Sequence, residues 1–204
     1  MKYIIHRGIT SKTNKDNSYL AIKKALLDST SLGVELDIRL TKDNIIVLSH
    51  NSIINTNYIE NMTYKEIIKN KYLTTLDRIL DINTTKMLLL DIKVNNNYKK
   101  FANTLLDKIN NLDKNIYLMS FNKKIIKYLY RRTNYPLGLI SFIYKKNKYP
   151  ITILNNKTIK DKTLKKIKNK EIFLWTFNNT KEIQNISKKI SNINSYYLIT
   201  NKEE

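Results

Sequence analysis

The sequence lacks cysteine and has little glycine or proline: 204 residues contain no Cys, 3 Gly and 2 Pro. Without cysteine the chain has no disulfide framework, no thiolate zinc site and no cysteine nucleophile. The scarcity of Gly and Pro excludes collagen-like and linker-rich architectures. Neither the Rossmann nor the P-loop glycine pattern is present, which argues against a nucleotide-dependent enzyme. With 42% hydrophobic residues, the composition is that of a folded globular protein, and the length favours one domain.

Long apolar runs are also absent, since no run approaches the 18 residues that a membrane-spanning helix needs. The first apolar stretch stops at His6-Arg7, which makes it too short for a signal peptide. We therefore expect an untargeted, cytoplasmic protein.

Positive charge is abundant: 37 basic against 17 acidic residues give a net charge of +20. Such a charge favours an anionic partner such as nucleic acid, a phospholipid surface or a phosphate ester. The lysines are spread along the whole chain, however, and AT-rich codons account for its many Lys, Asn and Ile residues. We expect no nucleic-acid partner and keep a basic nucleic-acid-binding protein only as the weaker alternative. A transient contact with an anionic membrane surface stays open.

Short apolar, β-branched runs alternate with segments of helical period, which predicts an α/β fold with a parallel sheet. Strands are predicted at 3–6, 34–38, 45–49, 87–92, 116–120, 137–141, 151–154, 172–177 and 196–200. Helices are predicted at 17–30, 63–70, 75–82, 98–111, 122–133, 158–169 and 180–191. Nine strands exceed the eight of a (β/α)8 barrel, so one is expected to be a loop or an accessory strand. A doubly wound open sheet is the alternative.

Polar residues interrupt two of the predicted strands at a spacing of two. Glu35 and Asp37 therefore point to one face of their strand, and Asp91 and Lys93 share a face of another. Like charges on an interior face are costly unless a cation or hydrogen-bond donors compensate them. A hard divalent cation, Mg²⁺ or Ca²⁺, would suit three carboxylates from two strands. The alternative is a buried ion-pair cluster with Lys93 or Arg7.

The only two histidines, His6 and His50, each follow a short apolar strand. In parallel α/β sheets and barrels the functional site lies at the carboxyl ends of the strands. Because the imidazole pKa is near neutrality, a histidine pair can serve as general base and general acid.

Taken in order, these residues resemble the motifs of the glycerophosphodiester phosphodiesterase family, whose barrel is related to that of phosphatidylinositol phospholipase C. The matching segments are His6-Arg7-Gly8, Asp16-Asn17-Ser18, Glu35-Leu36-Asp37, Thr41-Lys42-Asp43, His50-Asn51, Asp91-Ile92-Lys93, Ser120-Phe121, Trp175-Thr176-Phe177-Asn178 and Ile199-Thr200-Asn201. The resemblance implies a single domain over residues 1–204. Its fold would be a compact (β/α)8 TIM-type barrel with a much reduced insertion after the third strand.

The resemblance also implies the chemistry: metal-dependent hydrolysis of glycerophosphodiesters to glycerol 3-phosphate and an alcohol, as part of lipid metabolism. By matched position the site residues divide into metal ligands Glu35, Asp37 and Asp91, an acid–base pair His6 and His50, and substrate-binding residues Arg7, Lys93 and Trp175. The cofactor would be a divalent metal ion, Mg²⁺ or Ca²⁺, and the partner a small-molecule phosphodiester.

Three positions depart from the family pattern. Asp91 stands in place of Glu, and Asn51 and Asn201 each stand in place of Asp. These departures motivate the alternative of a catalytically degenerate family member that binds phosphorylated ligands without turnover.

Overall fold

The computed structural model describes residues 1–167, 170–190 and 195–204, and its centre is a closed barrel of eight parallel strands. The strands of the described chain are β1 (Tyr3–Thr10), β2 (Ser31–Leu40), β3 (Ile46–Leu48), β4 (Ile53–Ile54), β5 (Asn57–Tyr58), β6 (Met87–Ile92), β7 (Ile116–Ser120), β8 (Leu137–Ser141), β9 (Ile151–Asn155), β10 (Glu171–Phe177) and β11 (Tyr196–Glu203). The barrel order is β1-β2-β6-β7-β8-β9-β10-β11, and it closes because β1 pairs with both β2 and β11. The predicted TIM-type barrel is confirmed, and the open sheet is excluded.

The predicted strand at 45–49 corresponds to β3, and it is the accessory element beyond the eight barrel strands. β3 pairs antiparallel with the end of β2, with Ile38 opposite Leu48, so it lies outside the parallel barrel. The β4–β5 hairpin, which the sequence did not predict, follows it directly, and a single 3-10 turn (Ile59–Asn61) leads on to the next helix. Only this short segment occupies the place of the insertion after the third strand.

All seven predicted helices are present, with narrower limits: α1 (Tyr19–Leu27), α2 (Tyr64–Ile68), α3 (Leu76–Leu80), α4 (Tyr98–Ile109), α5 (Lys123–Leu129), α6 (Asp161–Lys166) and α7 (Thr180–Ile190). α1 begins later than predicted because Asn17 has a left-handed φ of 57° and Ser18 caps the helix by accepting from the backbone N–H of Ala21. Positions 168, 169 and 191, which ended two predicted helices, lie outside the described residues.

Within the described residues the helical repeat is interrupted once, between β8 and β9. Residues 142–150 connect these two strands without a helix. The first of them follow β8 directly and therefore lie at the carboxyl end of the barrel.

Alternation along the strands separates two apolar layers. Val34, Leu36 and Ile38 of β2 face outward, where they pack with Ile22 of α1 and other helix residues. The barrel interior holds a separate cluster of Ile4, Met87, Leu89, Tyr117, Met119, Ile140, Ile151, Ile153, Phe173 and Ile199. This cluster fills the barrel below the charged residues, and Met119, Ile140, Ile153 and Ile199 also line the cavity at the carboxyl end. Among the described helices, none has the length and apolar composition to cross a membrane.

Candidate active site

A cavity of about 140 Å³ opens at the carboxyl ends of the barrel strands. The structure brings all eight residues singled out in the sequence to its wall: His6, Arg7, Glu35, Asp37, His50, Asp91, Lys93 and Trp175. They come from four barrel strands, from the residue after β6 and from the segment after β3, and closure of the barrel brings them together.

Three carboxylates form the floor of this cavity. Strand pairing places Asp37 of β2 directly opposite Asp91 of β6, and the spacing of two puts Glu35 on the same inward face. One carboxylate oxygen from each residue lies within 4.8 Å of the others. Their exposures are only 3% for Glu35, 1% for Asp37 and 5% for Asp91, so water does not screen their mutual repulsion.

Two cationic side chains compensate part of this charge. Lys93 Nζ lies 2.6 Å from Asp91 Oδ2 and 3.1 Å from Asp37 Oδ1, and Arg7 Nε lies 2.8 Å from Asp37 Oδ2. Burial alone would lower the pKa of Lys93, but Asp91 and Asp37 outweigh it and raise the pKa. The ion-pair alternative therefore accounts for Asp37 and Asp91, whereas Glu35 has neither cation within ion-pair distance.

The pKa values follow this unequal compensation. Burial, reinforced by Asp37 and Asp91, raises the pKa of Glu35 well above its usual range. Burial also raises the pKa of Asp91 to about 6, although Lys93 opposes it. For Asp37 the order reverses: burial would raise the pKa, but Lys93 and Arg7 together lower it. A further cation beside Glu35 and Asp91 would stabilise the ionised form of both carboxyls and so lower both pKa values.

The donor set fits a divalent metal ion. Within the described chain, Glu35 Oε2 and Asp91 Oδ1 are buried and have no hydrogen-bond partner. An unpaired buried carboxylate oxygen is costly, and a hard cation is the partner that three clustered carboxylates suit best. Asn17 holds the Asp37 carboxylate in position, because its Nδ2 donates to Asp37 Oδ2 at 2.9 Å.

A local irregularity of β1 turns two adjacent residues into the cavity. The register of β1 against β11 shifts between Ile5 and Ile9, and within this stretch Arg7 (φ 58°) and Gly8 (φ 94°) are left-handed. A regular strand would send His6 and Arg7 to opposite faces, whereas here both line the cavity. Gly8 is required because a Cβ there would lie 2.6 Å from the backbone of Ala21.

His6 is neutral and oriented. Its Nδ1 lies 2.7 Å from Asn201 Oδ1, and its Nε2 lies 3.8 Å from Glu35 Oε2. Burial first, and then the positive charge of Arg7, lower the pKa of His6 to about 4. The ring is therefore uncharged near neutral pH, which is the state that accepts a proton.

His50 is exposed at the opposite wall, where its backbone is fixed by Arg39. The carbonyl oxygen of His50 accepts from Arg39 Nη2 at 2.7 Å and from Nε at 3.2 Å. A third, longer contact joins Arg39 Nη1 to the carbonyl oxygen of Lys93 at 3.4 Å. The ring itself contacts Asn51, with 3.2 Å between His50 Nδ1 and Asn51 Oδ1.

Trp175 lies on the inward face of β10 and closes the apolar side of the cavity with two phenylalanines. Its ring centroid is 5.7 Å from that of Phe121 and 5.4 Å from that of Phe142, both at steep angles. The indole Nε1 is buried and has no hydrogen-bond partner among the described residues. The cavity thus has a charged side and an aromatic side.

The roles of three contributors were not identified from the sequence. Asn17 was assigned only to a helix start, yet its side chain binds both the carboxylate and the backbone N–H of Asp37. Arg39 could have been found, because it continues the spacing of two that begins with Glu35 and Asp37. Asn201 was noted only as a departure, and its contact with His6 depends on the pairing of β1 with β11.

Comparison with known proteins agrees with this geometry. The model of the glycerophosphoryl diester phosphodiesterase family matches residues 6–195. No curated protein matches the chain.

Solved structures share the fold. A glycerophosphodiester phosphodiesterase from Parabacteroides distasonis has a TM-score of 0.80 at 18% identity, over 98% of this chain and 92% of that one. One from Thermotoga maritima has a TM-score of 0.77 at 22% identity, over 98% and 95%. An Oleispira antarctica phosphodiesterase in complex with the product sn-glycerol-3-phosphate has a TM-score of 0.78 at 14% identity, over 98% and 92%.

Proposed function

Because this chain belongs to the glycerophosphoryl diester phosphodiesterase family, we propose that it hydrolyses glycerophosphodiesters to glycerol 3-phosphate and an alcohol in a metal-dependent reaction. The observation that carries the proposal is one cavity that joins three buried carboxylates, two cationic side chains and two histidines. The product in the Oleispira antarctica structure is the one that this reaction would release.

Glu35, Asp37 and Asp91 would hold the metal ion, and the oxygen-only donor set favours Mg²⁺ or Ca²⁺. When bound, such an ion acts as a Lewis acid that offsets the negative charge on the phosphate oxygens. Asn17 and Arg7 keep the Asp37 carboxylate in place, and Lys93 keeps that of Asp91. The chain itself therefore sets the geometry of the donor oxygens.

Arg7 and Lys93 bind the phosphate. Both side chains line the cavity, and their charges oppose the charge that gathers on the equatorial oxygens during the reaction. The guanidinium of Arg7 also faces Asp16 at 3.6 Å, so this exposed carboxylate is the contact that a phosphate would displace. Trp175 provides the apolar wall opposite these charges and limits the positions that the glycerol moiety can take.

The histidines transfer the protons. His6 Nε2 accepts the proton of the attacking oxygen as a new P–O bond forms, and His50 donates a proton to the alcohol oxygen as the old P–O bond breaks. If the attacking oxygen belongs to water, the product is glycerol 3-phosphate. If it belongs to the neighbouring glycerol hydroxyl, the product is a cyclic phosphate, which water opens to glycerol 3-phosphate in a second step with the roles of the two histidines exchanged. The assignment of His6 as base is supported by its neutral ring and by its Nδ1 contact with Asn201, which leaves Nε2 free.

Other expectations from the sequence stay predictions: one domain over residues 1–204, a cytoplasmic location and a role in lipid metabolism. The degenerate, ligand-binding alternative also stays a prediction. The substitution at Asp91 gives this alternative little support. Lys93 and the strand pairing of Asp37 with Asp91 hold this shorter side chain within the carboxylate cluster.

The experiment that tests the proposal follows glycerophosphocholine by phosphorus NMR with the purified protein in Mg²⁺ or Ca²⁺. We expect the diester signal to be replaced by that of glycerol 3-phosphate. Release of phosphocholine instead would contradict the proposed bond cleavage. No change with any of several glycerophosphodiesters, together with a metal-dependent rise in melting temperature, would favour the degenerate alternative.

A further inference from the structure

Three large apolar side chains are exposed at the same end of the barrel as the catalytic cavity. Phe121 follows β7 and is 45% exposed, while Phe142 and Ile143 follow β8 and are 58% and 68% exposed. These three residues are called the mouth patch below. Residues 142–150, which begin with Phe142 and Ile143, connect β8 to β9 without a helix.

Two members of the mouth patch, Phe121 and Phe142, are held in place by ring contacts. The centroids of Phe121 and Phe142 are 5.7 Å apart, and both rings pack against Trp175 in the cavity wall. The backbone behind Phe142 is also fixed, because Thr158 Oγ1 donates to the Phe142 carbonyl oxygen. Apolar groups that are exposed but rigidly packed beside a functional site are typical of an interaction surface.

Exposed lysines flank the mouth patch along the chain. Lys123 and Lys124 follow Phe121, Lys145 and Lys146 follow Ile143, and Lys157 lies in the 3-10 turn that contacts Phe142. All five are exposed, and within the described residues none of their ammonium groups has an ion-pair or hydrogen-bond partner. Unpaired lysine ammonium groups beside apolar side chains complement a partner whose outer layer is anionic and whose interior is apolar.

We propose that the mouth patch docks onto the surface of an anionic phospholipid bilayer. Aromatic and aliphatic side chains would enter the boundary between headgroups and acyl chains, and the lysines would bind the anionic headgroups. A stable protein partner is disfavoured because three apolar side chains fall well short of the roughly 800 Å² that each side of a standard protein interface buries. Docking in this orientation turns the catalytic cavity toward the membrane.

Vesicle binding tests the proposal independently of catalysis. The probes are vesicles of equal phosphatidylglycerol and phosphatidylcholine, and vesicles of phosphatidylcholine alone, in sedimentation assays at low and high salt. We expect binding to the anionic vesicles, weakened by salt, and little binding to the neutral ones. Trp175, the only tryptophan, contacts both rings of the patch and should change its emission on binding.

A matched pair of double variants separates the mouth patch from the general basic charge. Phe142→Ser with Ile143→Ser should weaken binding to anionic vesicles by at least roughly tenfold. The control, Leu27→Ser with Leu32→Ser, removes apolar side chains that are 74% and 41% exposed at the opposite end of the barrel and should bind like the wild type. Melting temperatures confirm that both variants fold.

Three results would overturn the proposal. They are absence of vesicle binding by the wild type, equal losses in the two double variants, and equal binding to neutral and anionic vesicles. A raised KM for glycerophosphocholine without any vesicle binding would assign the mouth patch to the substrate instead. The vesicle-binding measurements need no hydrolysis, so failure of the proposed reaction and failure of membrane docking are distinguishable.

Discussion

His6 and Asn201, 195 residues apart in sequence, are joined by a 2.7 Å contact between Nδ1 and Oδ1. The amide of Asn201 is itself oriented, because its Nδ2 donates to Asn178 Oδ1 at 2.6 Å. Asn201 Oδ1 therefore faces the imidazole as an acceptor, and the ring proton of His6 resides on Nδ1. This places the free electron pair of Nε2 toward the cavity and Glu35.

Replacing the neutral partner of His6 with an anionic one should shift its titration. Asn201→Asp is expected to raise the pKa of His6 above its value of about 4, because a carboxylate stabilises the imidazolium. The decline of kcat/KM on the acidic side of its pH profile should then occur at higher pH. An unchanged profile in the Asp variant would contradict the assignment of His6 as the base.

Loss of either histidine should remove one proton transfer. His6→Ala and His50→Ala are each expected to lower kcat by at least about 10²-fold, the lower end of general acid–base contributions. Tyr58→Ala, on the exposed β5 strand, serves as the control and should retain wild-type turnover. A histidine whose removal leaves kcat unchanged would have no part in the mechanism.

Metal binding should depend on pH through the two carboxyls whose pKa is raised. Burial holds the pKa of Asp91 at about 6 and that of Glu35 well above its usual range, so the metal-free fold keeps protons that the unfolded chain releases near pH 4. The free energy of unfolding of the metal-free protein therefore falls as pH rises from about 4 to about 6 through Asp91, and Glu35 extends this fall to higher pH. A cation binds the deprotonated carboxylates and reverses this loss.

The melting temperature measures this effect without any substrate. The rise produced by Mg²⁺ or Ca²⁺ should be larger at pH 7.5 than at pH 5. Asp91→Asn should reduce the rise, whereas Asp107→Asn on the exposed side of α4 should not. A rise independent of pH, or one retained in Asp91→Asn, would contradict the proposed ligand set.

Arg39 should act as a positioning residue for His50. Arg39→Gln removes both hydrogen bonds to the His50 carbonyl, and we expect a loss of about 1–2 kcal/mol in the free energy of unfolding. We also expect kcat to fall by about tenfold with little change in KM, and Arg39→Lys to restore part of it. Loss of stability with wild-type kcat would show that Arg39 is only structural.

The parts of the fold and site that could be predicted follow from local periodicity. The spacing of two placed Glu35 and Asp37 on the inner face, and the apolar runs located every barrel strand. The β4–β5 hairpin escaped prediction because its strands have two residues each and carry no recognisable alternation.

Contacts between distant segments could not be predicted. The orientation of His6 by Asn201 needs the pairing of β1 with β11, and the inward turn of Arg7 needs the left-handed backbone at Arg7 and Gly8. The exposed position of Phe142 beside Trp175 depends on how the segment after β8 packs near β10, and the sequence alone assigned no role to that segment. Such features depend on tertiary packing and not on the periodicity of a short stretch.

Metal-dependent hydrolysis through the three carboxylates is tested most directly with glycerophosphocholine, wild-type protein and Asp37→Asn, each protein first stripped of metal with chelator and then supplied with Mg²⁺ or Ca²⁺. Release of glycerol 3-phosphate by the wild type should stop in chelator, return with metal, and be lost in the variant under both conditions. Undiminished hydrolysis in chelator, or in the folded Asp37→Asn variant, would contradict the account.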